Sequence, residues 1–441
     1  MTASEYLIGT HSRAHWMRLD AAGRLKRLFY CEKSLILAQA GWLASIGDLD
    51  TKLLLARHLW IDALSAQQLR DRVFEMRFPS RLMALGEDAP LIRFFDEAKH
   101  APNPFAFLLA LEQVFKPALL KSFEDYLDHT DVVADGPTVR FMRISLQEKQ
   151  AQIEELSATC ESMPSIGSGE VEKARRWVSA LQGRFSALTG VTLLDPLNPE
   201  SIETPLPERR EYAPAEPPVR DSRFHLCRFY WPDIIDQNFP YGEGLRLQLR
   251  TAVSHLNEVW AVESAGAALH AFGEILGWEF IYDAARWTYD ESRHVQMGFE
   301  RLLHWGYDLK EIPLGSYIFD SGSGEGPFYR MAMLFYFETK NIGKKKERAR
   351  AFADYDDHLS QHDMEFDWAD ETIHASYGKH WLQVLHDKQP DKFPAPGDIP
   401  ARCEALVGTL VASATETERR DINEVAENMI RKAEQQIHQT K

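Results

Sequence analysis

Two stretches, DESRH at 290–294 and DETIH at 370–374, each place a glutamate and a histidine three residues apart within an apolar helical pattern. Three residues is close to one helical turn, so Glu291 with His294, and Glu371 with His374, face the same side of their helices. Trp287, Gly298 and Leu302 share the first stripe; Gly378 and Trp381 or Leu382 share the second. Two more glutamates lie in apolar helical runs, Glu263 in WAVESAGAALHAF and Glu338 in LFYFETK. A fold that buries these stripes brings four carboxylates together in a dry interior. Unneutralised, each costs on the order of several kcal/mol. The chain therefore needs positive charge at the centre of whatever it folds into.

The rest of the sequence is helical in pattern. LFYCEKSLILAQAGWLASI, TKLLLARHLWIDALSAQQLRDRVFEMRF, FAFLLALEQVFKPALLKSFEDYL, PTVRFMRISLQEKQAQIEEL and VEKARRWVSALQGRFSAL repeat apolar residues at i, i+3, i+4 and i+7. Alternating β-type runs are scarce, so the fold class is all-α. Seven prolines between Pro196 and Pro218 then break the pattern and read as a linker. Helical runs resume at 249–276, 279–305, 328–355 and 362–385, with one long Gly-rich connection, GYDLKEIPLGSYIFDSGSGEGP, between the second and third. Four helices with one long crossover is a known variant of the four-helix bundle. The expected domains are 1–195, a linker at 196–222, a second bundle at 223–385 and a helical tail at 386–441.

One lone glutamate on each of two helices, and a Glu-x-x-His on each of the other two, is the ligand pattern of a dinuclear carboxylate site. The candidate ligands are Glu263, Glu291, His294, Glu338, Glu371 and His374. Hard oxygen donors with one imidazole per ion suit iron or manganese. Asp290 and Asp370 precede the motif glutamates and are candidates to orient the histidines; Asp367, one turn before Glu371, is a candidate supporting group or extra ligand. Trp287 and Tyr289 read as core aromatics.

DESRH and DETIH, with Glu263 and Glu338, resemble the ferritin-like di-iron carboxylate superfamily. The resemblance covers residues 250–385 and is specific for the superfamily, not for a substrate. It implies an enzyme holding two irons, with manganese possible. Such an enzyme activates O2 and oxidises a small organic substrate by hydroxylation, N-oxygenation, desaturation or halogenation. Glu291 and Glu371 would be the bridging ligands. It also implies an electron donor or reductase. The alternative is a ferroxidase, a peroxidase or a manganese-catalase-like protein; a further one is a binding module with a relic site.

The first half reads as a second copy of the bundle, making two tandem ferritin-like bundles of which the first is degenerate. Glu32, Glu112 and Glu148 would match Glu263, Glu338 and Glu371. Ala63 and Ala66 would stand in the places of Glu291 and His294, and Ala151 in that of His374. No dinuclear metal is expected there, and its glutamates are expected to pair with basic residues or to be protonated by burial. Glu97 and His100 repeat the Glu-x-x-His spacing but precede Pro102 and Pro104, and read as a helix end.

A formal net charge of −16 disfavours nucleic acid and anionic membrane as partners. A basic run, Lys344, Lys345, Lys346, Arg348 and Arg350, is the local exception. Four dispersed cysteines and no long apolar run point to a reduced, cytoplasmic, soluble chain without membrane spans, acting on a small molecule, with a homodimer as one option.

Overall fold

The computed structural model describes residues 15–77, 84–163, 167–199 and 205–440. Part of the expected linker, residues 200–204, lies outside them. The architecture is all-α, as the periodicity implies. The single sheet among the described residues is one parallel pair of two-residue strands, β1 (His225–Leu226) and β2 (Pro313–Leu314). Among the described residues no helix is long and apolar enough to cross a membrane.

The chain divides into two compact units, residues 1–38 with 61–212, and residues 39–60 with 213–441. The proline-rich run marks one boundary. The other falls inside α1 (Arg18–Trp42) and α2 (Leu49–Glu75), so residues 39–60 group with the second unit and not with the first half.

The first unit continues with α3 (Ala89–Asp96), α4 (Pro104–Ala110), α5 (Lys116–His129), α6 (Gly136–Ser162) and α7 (Ser168–Thr189). Asn103 caps α4 by accepting from the Ala106 amide at 2.8 Å, with Pro104 in the first turn where its missing N–H costs nothing. A π-helical turn, Leu111–Phe115, joins α4 to α5. Pro117 follows it: a proline inside a regular helix clashes with the carbonyl four residues back, and the wider turn accommodates it. Glu97 and His100 lie in a single 3-10 turn, where His100 Nδ1 is 3.1 Å from the Arg210 carbonyl and Glu97 pairs with Arg209 at 2.9 Å. They form the helix end that the following prolines imply.

The second unit contains α8 (Leu245–Asn257), α9 (Val259–Leu276), α10 (Trp278–His304), α11 (Tyr317–Ser321), α12 (Pro327–Asp354), α13 (His358–Lys388), α14 (Ile399–Ala412) and α15 (Glu416–Thr440). Helices α9 and α13 each pack against both α10 and α12, closing a ring of four, and α8 lies on α10. The run at 249–276 is not one helix: it breaks at Glu258, whose φ/ψ of −65°/0° separates α8 from α9. The long connection holds β2 and α11. The C-terminal run is ordered, burying Ile422, Ala426 and Met429, whose carbonyl accepts from the Tyr307 hydroxyl at 2.7 Å. The proline-rich segment is also structural. Its Val219 amide donates to the Ala44 carbonyl at 2.9 Å, and Asp221 accepts from the Leu49 amide at 3.0 Å.

Gly298 sets the spacing of α8 and α10. A Cβ there would lie 2.4 Å from the Ala252 oxygen and the Leu256 nitrogen, both backbone atoms that cannot rotate away. Gly298→Ala is expected to destabilise the chain by about 1–3 kcal/mol. Urea unfolding monitored by far-ultraviolet circular dichroism checks this; an unchanged midpoint would show that the helices are free to separate.

Candidate metal centre

Five of the six expected ligands converge in the second unit, and Glu258 lies with them where Glu263 was expected. The carboxylate and imidazole groups gather in two sets, Glu258 with His294, Asp367 and Glu371, and Glu291 with Glu338 and His374. Within each set, one atom per residue lies within 4.8 Å of the others. All but Glu258 are buried, and its side chain retains only 16% exposure.

Glu263 stands apart. It is fully buried, but its carboxylate is ion-paired with Lys52 of α2 and Arg220 of the proline-rich segment. Glu258 lies five residues earlier, about 140° away around a helix at roughly 100° per residue. The expectation that Glu263 is a ligand is thus corrected: a carboxylate already neutralised by two cations has no charge left to offer. Lys52 is buried with it and its ammonium is pulled down to about 8 by burial, against the attraction of Glu263.

The two histidines are held in mirrored fashion. His294 Nε2 is 3.4 Å from Asp370, and His374 Nε2 is 3.4 Å from Asp290, so the aspartate of each motif supports the histidine of the other. Arg293 bridges the two aspartates, reaching Asp290 at 2.7 Å and pairing also with Asp370; Arg286 adds a 2.6 Å contact to Asp290. With Nε2 facing a carboxylate, the neutral form of each imidazole keeps its proton on Nε2 and presents the Nδ1 lone pair inward. His294 Nδ1 then lies 3.2 Å from Glu258, 3.6 Å from Glu291 and 3.6 Å from Asp367. His374 Nδ1 lies 3.1 Å from Glu291 and 3.9 Å from Glu338. The two oxygens of Glu291 therefore face the two histidines separately.

Asp367 belongs to the inner group as well as supporting it. Arg301, which can only donate, is 2.6 Å from His255 Nδ1. The His255 proton must then sit on Nε2, which donates to Asp367 Oδ2 at 3.1 Å. The other oxygen, Oδ1, turns to His294 and to Lys345, whose ammonium also lies 3.1 Å from Glu371. Trp287 adds a tie that its reading as a core aromatic left out: its indole N–H donates to Glu338 Oε1 at 2.8 Å.

This leaves six buried atoms with no hydrogen-bond partner: Glu258 Oε2, Glu291 Oε1, His294 Nδ1, Glu338 Oε2, Glu371 Oε2 and His374 Nδ1. Their electrostatics show strain without an added cation. Burial, reinforced by Asp367 and Glu291 and opposed by Lys345, lifts Glu371 to about 7. Burial and the neighbouring Glu371 and Glu291 carboxylates lift Glu338 well above the usual range. Burial opposes ionisation of Glu291 too, but the His294 and His374 imidazoles beside it outweigh that and hold Glu291 at about 2. Burial likewise opposes a charged His374, yet Asp290 and Glu291 raise it to about 9.

The residues missed by sequence reasoning are Glu258, His255, Lys345, Arg286, Arg293 and Arg301. A signal existed for two: His255 and Glu258 repeat the three-residue spacing in reverse order. Lys345 was legible only as part of a basic run.

The first unit buries a different cluster. Lys116 contacts Asp62 at 2.8 Å and Gln152 at 2.9 Å, and Lys149 contacts Asp62 at 2.5 Å and Glu32 at 2.9 Å. Burial first, offset by Lys149, leaves Glu32 at about 7. Of the three expected glutamates only Glu32 joins this cluster. Glu112 and Glu148 are half-buried, and Lys116 and Lys149 point inward in their place.

A family model described as "Protein of unknown function (DUF455)" matches residues 198–407, a span containing every residue of the second unit's centre. No curated protein and no solved structure matches the chain.

The two glutamates of the first helical run separate cleanly by substitution in metal-free protein. Glu263→Gln leaves Lys52 and Arg220 facing a neutral amide and is expected to cost about 3–5 kcal/mol. Glu258→Gln removes one member of a repelling set and is expected to be neutral or stabilising. Urea midpoints measured in chelator decide; equal losses for both would show that Glu258 has a structural partner.

Proposed function

We propose that this chain is a dinuclear iron enzyme of ferritin-like build that activates O2 to oxidise a small organic substrate. The observation that carries the proposal is the convergence of six buried ligand atoms without a hydrogen bond, from α10, α12, α13 and the junction of α8 with α9. Charge supports two ions. The inner carboxylates Glu258, Glu291, Glu338, Asp367 and Glu371 bring five negative charges and Lys345 one positive, leaving four, which two divalent cations balance. Around them Asp290 and Asp370 are balanced by Arg286 and Arg293.

Bound iron would supply one-electron chemistry and open positions for O2, with electrons from an external donor. The protein's own residues do the rest. Glu258, His294 and Asp367 would hold one ion, and Glu338 with His374 the other. Glu291 faces both sets and Glu371 closes the first. The Asp290–Arg293–Asp370 strap fixes both imidazoles, so the ligand geometry does not depend on the ions to form. Trp287 holds Glu338 by one oxygen and leaves the second free. A cavity of about 380 Å³, bounded by Glu258, Glu291, Glu338 and Glu371 on one side and by Trp260 and Phe337 among others, adjoins the centre. That volume suits a small organic molecule, which favours substrate oxidation over ferroxidase, peroxidase or catalase work.

The tandem arrangement is part of the proposal. With Glu258 in the ligand position, its offset from Glu32 is 226 residues, the same as that of Glu338 from Glu112. In this reading the first unit is a copy in which two lysine ammonium groups took over the neutralising work of two ions.

Metal analysis on protein from iron-supplemented cells is expected to find about two irons per chain, with rapid O2 uptake after chemical reduction. Both are expected to fall by at least tenfold in Glu371→Ala and Glu258→Ala, and to persist in Glu263→Gln. Two manganese ions with vigorous peroxide disproportionation would favour the catalase. A chain that binds no metal would overturn the proposal.

A further inference from the structure

The cavity beside the centre carries a charge pattern that the ligand set does not explain. Its lining includes Arg250, Lys340, Lys344 and Arg348 as well as the inner carboxylates. Two of these cations are spent: Arg250 pairs with Asp233 at 2.8 Å, and Lys340 with Glu404 at 3.3 Å. Lys344 and Arg348 have no carboxylate partner among the described residues. They stand four residues apart on α12, so both face the same side of that helix. Arg348 is half-buried and lies over the Tyr241 ring at 4.8 Å, and Arg250 lies over the same ring at 5.0 Å. The arginine is thus held against an aromatic plate with its guanidinium unneutralised. Lys344 is exposed, at the rim. The rest of the wall mixes polar side chains, among them Asp233, Thr251, Ser254 and Asn341, with an apolar stretch of Trp260, Ile318, Phe337, Met364, Val407 and Val411.

We propose that the cavity receives an amphiphilic organic anion, its carboxylate or phosphate held by Lys344 and Arg348 and its apolar part lying along the aromatic and aliphatic wall towards the metal ligands. The inference rests on the dinuclear reading in one respect. Ions that neutralise the inner carboxylates would strengthen the hold on an anion that Lys344 and Arg348 supply by themselves. A guanidinium and an ammonium side by side match the oxygens of a carboxylate or a phosphate monoester. The volume of about 380 Å³ fits one such molecule and excludes a folded polyanion from the interior. Against the chain's overall charge of −16, this pair belongs to a local basic run.

The test compares four probes of one chain length, octanoate, octyl phosphate, octan-1-ol and octylamine, by calorimetric titration into the full chain with its metal content measured in parallel. In ion-loaded protein octanoate or octyl phosphate is expected to bind at least tenfold tighter than octan-1-ol. Whichever of the two is tighter assigns the carboxylate or the phosphate. The preference is expected to vanish in Lys344→Ala/Arg348→Ala with metal content unchanged. Equal affinity for octanoate and octan-1-ol, or tighter octylamine, would overturn the inference. So would an anion preference that survives in the double variant, because the anion would then sit on the ions themselves. So would RNA bound through the same two residues without any octanoate preference. If the chain takes up no ions, the dinuclear reading fails separately. The wild-type against double-variant difference for octanoate, measured in chelator, then still decides whether the two cations hold an anion.

Discussion

Mutual repulsion among buried carboxylates is the constraint that organises the second unit. Four glutamates and an aspartate share one interior, and Lys345 offsets only one of their charges. Glu338 and Glu371 respond as isolated acids must, by resisting ionisation. Everything around them resists collapse of the site. Arg293 locks Asp290 to Asp370, those aspartates orient the imidazoles, and Arg301 fixes the tautomer of His255, which fixes Asp367. None of these contacts satisfies the six inward atoms. They keep those atoms apart and available, which is a costly arrangement for a core and a useful one for holding cations.

The first unit answers the same problem with protein alone. Asp62 and Glu32 are neutralised by Lys116 and Lys149 brought in from α5 and α6. Here the neutralising charge comes from ammonium groups of the chain itself, each within 3.0 Å of a carboxylate oxygen. Small side chains lie on the same helix: Ala63 and Ala66 are fully buried beside Asp62.

What the sequence disclosed follows from how local each signal is. Glu291 with His294 and Glu371 with His374 are one turn apart, and periodicity alone places them inward. Glu338 follows from its apolar neighbours. Glu258 and Glu263 sit in the same apolar run, and periodicity alone could not choose between them. The choice is made by Lys52 and Arg220, 211 and 43 residues away from Glu263 in sequence. Lys345 lies among lysines that solvate a surface, and only the packing of α12 on α13 shows that one of them turns inward. The break at Glu258 was hidden because the apolar period continues through it. The two short strands were hidden because two residues carry no period.

The most direct test of the central claim is anomalous diffraction at the iron edge from crystals grown with ferrous iron. The account predicts two peaks about 3.5–4 Å apart, one beside Glu258, His294 and Asp367 and the other beside Glu338 and His374, with Glu291 between them. A single peak, or density beside Glu263 with its lysine and arginine displaced, would contradict it.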